Sequence, residues 1–243
     1  MEKNMFDMSN KFVNELLTDQ KNFLLKNINL KNFDLFDRKN EIQLSAKDYY
    51  IYKVSNWFFR LNDNLAQLQD SDLLKKNVRF QKRNIYKSYI SFLKYIKAII
   101  IDISSYHDLL FHFLFQLNKM NIYDNNLTWE VIKPNLDDNT INIMNELYNK
   151  IKTEINFRNR ALHDFDYSWM DKYIGSKAVT LCENHFFKQM ESILLPYQKS
   201  LIKEMNLNAK KIQLLFIDKV NTLKSLTQKL FLIQYKNYKK YTS

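Results

Sequence analysis

A single glycine, Gly175, and two prolines, Pro134 and Pro196, serve a chain of 243 residues. Tight hairpins need residues that tolerate positive φ, and short loops in sheet proteins lean on glycine. A sheet-rich fold therefore has almost nothing to turn with here. The expected outcome is all-α: a helical bundle with long central helices and a kinked C-terminal helix, joined by Asn, Asp and Ser loops. Apolar residues make up 46% of the chain and aromatics 15%, enough to bury a core in one domain or one and a half. The lone cysteine, Cys182, excludes an internal disulfide and a cysteine-based zinc site, and it fits a reducing, cytoplasmic setting.

Pattern and capping residues divide the chain further. The N-terminal "MEKNMFDMSNKFVNELL" has no long apolar run before a small-residue cleavage site, so no signal peptide is expected. Residues 1–44 read as an N-terminal extension of one or two short helices. Ser45, with Asp48 three residues on, suits an N-cap for a helix reaching about Leu68, and "QDSDLL" breaks it. A second long helix is expected from about Leu73 to Asn118. Its apolar part, Ile90–Leu117, is interrupted by Lys94, Lys97, Asp102, His107, Asp108 and His112, so a helix buried in a bundle is expected rather than a membrane span. After a connection over 119–139, a helix starting near Asn139–Thr140 leads into "INFRNRALHDFDYSW". Ser176 should cap a further helix that Pro196 kinks, and a last helix should span about Ala209 to Tyr241. The expected segments are thus 1–44, a helical domain over 45–206, and a C-terminal helix over 207–243.

The formal net charge is +11. It points to a polyanionic partner, RNA above all, although AT-rich coding would also enrich lysine. The charge is unevenly placed: Lys75, Lys76, Arg79, Lys82, Arg83 and Lys87 follow one another with no acid between them. With Phe80 and Tyr86 interleaved, the run could track RNA phosphates while an aromatic stacks on a base; a solvated helix face with the rings turned inward is the alternative. The tail "QYKNYKKYTS" spaces Tyr235, Tyr238 and Tyr241 by three. It suits an RNA contact, a dimer contact or a docked terminal helix equally well.

Arginine is scarce, occurring at six positions, yet Arg158 and Arg160 stand within five residues of His163, one of four histidines. At about 100° per residue, Met144, Tyr148, Ile151, Ile155 and Leu162 form one apolar stripe. Asn159 should continue it, with His163 one turn beyond. Arg158 lies about 140° around the axis from His163, within side-chain reach of the same region. A guanidinium suits phosphate oxygens, and an imidazole titrates near neutrality and can move a proton. RNA supplies its own nucleophile, the 2′-hydroxyl. A base, an acid and a cation over the phosphorane oxygens would then suffice without a metal. One helix offers only one histidine, so the chemistry favours two copies facing each other in a homodimer.

Arg158-Asn159-x-x-x-His163 resembles the arginine–histidine signature of the HEPN superfamily, all-α domains found in many ribonucleases of toxin–antitoxin, abortive-infection and RNA-targeting CRISPR systems. The resemblance covers the motif helix and, more loosely, Ser45 to Met205. It implies an endoribonuclease acting at a dimer interface, with Arg158, Asn159 and His163 as catalytic residues. Arg160 would join the basic run in binding RNA. No cofactor or metal is implied, and a protein or RNA antitoxin is an implied partner. A branch of the family that pairs with nucleotidyltransferases carries a tyrosine two residues after the histidine. This chain has Phe165 there, and its nearest tyrosine is Tyr167.

Other groupings are weaker. Asp108 and His112, with His107 beside them, could hold a metal, but no third ligand has the right spacing. Asp164 and Asp166 could orient His163 or be plain loop acids. No Gly-rich phosphate loop, H-E-x-x-H or nucleophile elbow occurs, which excludes most enzyme classes.

Overall fold

The computed structural model describes residues 5–27, 45–76, 79–81, 85–119, 128–163 and 191–242; within these, the side chains at 27, 85, 86, 160–163, 191–198 and 201 are not described. The helices are α1 (Lys11–Asn27), α2 (Ala46–Asp70), α3 (Asp72–Lys75), α4 (Ile85–Leu117), α5 (Trp129–Ile132), α6 (Asp138–His163) and α7 (Glu191–Thr242), with a 3-10 turn over Lys133–Asn135. No strand occurs among the described residues, and the fold is all-α.

Capping side chains set the helix starts. The Asp48 N–H donates to Ser45 Oγ at 3.1 Å and the Tyr49 N–H to the Ser45 carbonyl at 2.9 Å, so Ser45 opens α2 as the sequence suggests. Asp137 opens α6, accepting from the Thr140 N–H at 3.0 Å and the Thr140 hydroxyl at 2.6 Å. Burial resists ionisation of Asp137, yet the Thr140 hydrogen bonds outweigh it and hold the carboxyl below its ordinary value. The scarcity of glycine leaves a mark at the end of α4. Lys119 adopts φ 46°, a left-handed position that glycine would normally fill.

Two expected elements differ from those observed. The basic run is not the start of one long helix: α3 ends at Lys75, α4 begins at Ile85, and residues 79–81 are irregular. Lys75/Arg79, Arg79/Arg83 and Arg83/Lys87 would be like-charge pairs four apart, each disfavouring a helix. The irregular backbone is instead paired by side chains of α7. Asn206 Oδ1 accepts from the Phe80 N–H at 2.8 Å and its Nδ2 donates to the Phe80 carbonyl at 3.1 Å, while Gln213 Nε2 donates to the Leu74 carbonyl at 2.9 Å. At the C-terminus, two helices were expected with a break before Ala209. One helix, α7, runs unbroken through Pro196 and residues 206–208.

Contacts divide the chain into two compact units. One comprises Met1–Leu65, Tyr106–Tyr148 and Leu223–Ser243; the other comprises Ala66–Ser105 and Asn149–Thr222. The units interleave along the chain, whereas the expected segments 1–44, 45–206 and 207–243 follow one another.

In the first unit, Phe231 is the centre of an aromatic core. Its ring lies 4.9 Å from Phe6, 5.1 Å from Phe12, 5.6 Å from Phe113 and 5.9 Å from Phe58. Phe12, Val13 and Leu16 are fully buried, so α1 supplies core. Each such side chain contributes about 1.5–3 kcal/mol relative to exposure. The C-terminal tyrosines belong to a docked helix. Tyr238 is buried and donates to Asp19 Oδ2 at 2.8 Å, and Tyr235 donates to Glu15 Oε2 at 2.6 Å. Lys239 pairs with the other Glu15 oxygen.

In the second unit, Ile96, Ile99 and Ile103's neighbour Ile100 on α4 are buried, as are Leu147's successors Ile151 and Phe157 on α6 and Met205, Ile212 and Phe216 on α7. The stretch Lys87–Leu117 is long and apolar enough to cross a bilayer by length and composition, but 56% of its most apolar window is buried in protein. Tyr106 on that stretch also donates to Thr227 Oγ1 at 2.8 Å, a contact suited to a core helix.

Candidate functional site

The buried face of α6 decides what the motif presents. Thr140, Met144, Leu147, Ile151, Glu154 and Phe157 are buried, whereas Tyr148 and Asn159 are exposed and Ile155 is intermediate. The expected stripe through Tyr148 and Ile155 is therefore displaced by about 60° around the axis. Asn159 consequently does not continue the buried stripe as expected. Arg158, four residues after Glu154, follows the observed face and is half-buried.

Glu154 had not been singled out, and it organises the turn before the motif. Its side chain is 1% exposed and pairs with Lys219 of α7 at 2.9 Å. Lys219 also donates to the Lys150 carbonyl at 2.5 Å. A carboxylate this buried is tolerated only with a cation and hydrogen bonds, so the pair ties α6 to α7 one turn from Arg158. All of these residues lie in the second unit.

The Arg158 guanidinium reaches back to its neighbour. Nε and Nη2 each lie 3.4 Å from Asn159 Oδ1, long contacts near the limit of a hydrogen bond. Two donors of the guanidinium thus face the one amide oxygen of an exposed residue. Helix α6 continues to His163, which keeps Arg158, Asn159 and His163 on one helix. The side chains of Arg160 and His163, and all of Asp164 and Asp166, lie outside the described residues.

The basic run separates into parts. Lys75, Lys76 and Arg79 line one cleft of about 550 Å³ in the second unit, together with Lys210 of α7. Its remaining walls include Leu73, Phe80, Phe92 and the amides of Asn206 and Gln213. Lys75 pairs with Asp70 at 2.7 Å and Lys76 with Asp72 at 2.9 Å, all of these side chains well exposed. Lys87 is exposed on α4, and Lys82 and Arg83 lie outside the described residues. Phe80 is 2% exposed and meets Phe92 edge to face at 5.7 Å, so it packs inward and is not presented to a base.

The histidines of α4 turn to different neighbours. His112 stacks on Trp57 at 4.5 Å and 6° between planes, while His107 packs against Phe111 and Tyr148 and lies 3.7 Å from Asp108. Among the described residues, no group of three or more His, Cys, Asp or Glu side chains is placed to hold a metal ion.

Comparisons of the chain with protein-family models, with curated proteins and with solved structures return no significant match.

Proposed function

We propose that the chain is a metal-independent endoribonuclease of HEPN type that works as a homodimer in the cytoplasm. The observation that carries this reading is the end of α6, where Arg158 leaves a charge-tied buried face with its guanidinium turned to the surface, on the same helix as His163. In this mechanism Arg158 binds the non-bridging oxygens of the scissile phosphate, and Asn159 orients the guanidinium. One His163 takes the proton from the 2′-hydroxyl, whose oxygen attacks phosphorus. The P–O5′ bond breaks, and the partner subunit's histidine delivers a proton to the leaving oxygen. The products are a 2′,3′-cyclic phosphate and a 5′-hydroxyl. Lys75, Lys76, Arg79, Lys82, Arg83, Lys87 and Arg160 supply the phosphate contacts that hold the strand. The biological setting proposed with this chemistry is a toxin or antiphage effector restrained by a protein or RNA antitoxin.

His163→Ala is expected to abolish cleavage of purified single-stranded RNA in EDTA, with helicity unchanged by circular dichroism. Cleavage that persists in this variant removes His163 from the mechanism.

A second reading, a non-catalytic RNA-binding or scaffold module, is favoured by the cationic cleft, which needs no proton carrier. Gel-shift and cleavage assays run side by side in EDTA separate the two. Binding without cleavage by the unmodified protein selects the module.

A further inference from the structure

The cleft of the second unit has a definite chemical character. Four cations line it, Lys75 and Lys76 at the end of α3, Arg79 beyond it, and Lys210 on α7. Among the described residues, the carboxylates paired with them are Asp70 and Asp72. Those pairs are solvent-exposed, of the kind that contributes little to stability, so a doubly charged anion can take over both lysines at little cost. Arg79 and Lys210 are exposed and have no ion-pair partner among the described residues. The wall beneath them is held in shape by hydrogen bonds. Asn206 engages both the N–H and the carbonyl of Phe80, and Gln213 holds the Leu74 carbonyl. The cations at 75, 76 and 79 are therefore carried on a backbone fixed to α7, the helix that carries Lys210. That arrangement is pre-organised, which lowers the ordering cost of binding. Its volume of about 550 Å³ lies in the range of small-ligand sites.

We infer that this cleft binds adjacent phosphate groups borne on a nucleotide, with Arg79 and Lys210 making the direct contacts. Two sources carry that chemistry, consecutive phosphodiesters of a single RNA strand and the polyphosphate of a free nucleoside triphosphate. Binding here does not depend on His163. The RNA source would deepen the ribonuclease reading, while the triphosphate source would make the cleft a separate ligand site.

The test titrates the full-length protein in EDTA with ATP and with a 5′-hydroxyl single-stranded RNA decamer, using the His163→Ala background to prevent cleavage. Arg79→Gln/Lys210→Gln is compared with Lys236→Gln, an exposed lysine of the first unit. The double variant is expected to weaken the true ligand at least tenfold while Lys236→Gln changes affinity less than twofold. If RNA is that ligand, the double variant should also reduce the salt slope of log K by about 1.4, two single-strand phosphates' worth. Loss confined to ATP assigns the free nucleotide, and loss confined to RNA assigns the strand. If neither probe binds, or the double variant binds both as tightly as Lys236→Gln does, the inference is overturned. RNA cleavage, tested with His163 intact, that is indifferent to the double variant, together with unchanged binding of both probes, removes the cleft and leaves the nuclease reading standing. Cleft-dependent binding without wild-type cleavage does the reverse.

Discussion

Glu154 and Lys219 hold opposite charges in a place where solvent does little for either. Removing one partner from such a pair typically costs about 3–5 kcal/mol, because the other is left buried and uncompensated. Lys219→Met should therefore lower the urea midpoint markedly, and Glu154→Leu/Lys219→Met should recover most of the loss. A single variant as stable as wild type would mean that the pair does not hold α6 against α7. The same residue explains why the motif's orientation was hard to read. A carboxylate in the buried face gives no apolar signal there, whereas Met144, Leu147 and Ile151 point through Glu154 toward Arg158. Lys219 stands on another helix, distant in sequence, and gave no local signal. Lys119 illustrates the opposite situation. Its left-handed backbone costs about 1 kcal/mol, while its ammonium lies 4.9 Å from the Tyr50 ring and 4.4 Å from the Tyr241 ring, contacts that offset the cost in part.

Among the elements, the docking of α7 on α1 has a pH signature. Burial raises the Glu15 carboxyl, but hydrogen bonds from Lys239 and Tyr235 outweigh it and leave its pKa below 4.5. The hydrogen bond to Glu15 holds the Lys239 ammonium above 10.5. A depressed acid contributes above its unfolded value and loses that contribution as pH falls through the folded one; a raised base contributes below its unfolded value and loses it as pH rises. The clamp is thus strongest between about 4.5 and 10.5 and weakens on both sides. Amide exchange over residues 235–242 should accelerate at both extremes, and Glu15→Gln should accelerate it at pH 7 while flattening the acid limb. An exchange profile that Glu15→Gln leaves unchanged would remove Glu15 from the docking. The cap at Ser45 and the break at Ser71 were legible because capping is local. The irregular segment after α3 was not, because Asn206 and Gln213 pair its backbone from more than a hundred residues away.

At the level of the whole chain, the proposed chemistry needs two copies, since each contributes one His163 at the motif. Sedimentation equilibrium at micromolar concentration should give twice the 29.5 kDa of the chain. A strictly monomeric protein that still cleaves RNA would require the second proton carrier to come from the same subunit. The two units interleave along the chain, whereas segments drawn from local pattern and capping follow one another. Each core is assembled from pieces separated along the chain by 40 residues or more, and local pattern carries no record of which pieces meet.

With hardly any glycine and an abundance of periodic apolar residues, the chain had to be helical, and short-range physics placed the caps and the motif on α6. Which side of α6 is buried, which charges are tied together, and which cations share a cleft were fixed by packing between distant segments. Burial and ion pairing depend on what lies opposite a side chain, and that neighbour is chosen by the tertiary fold.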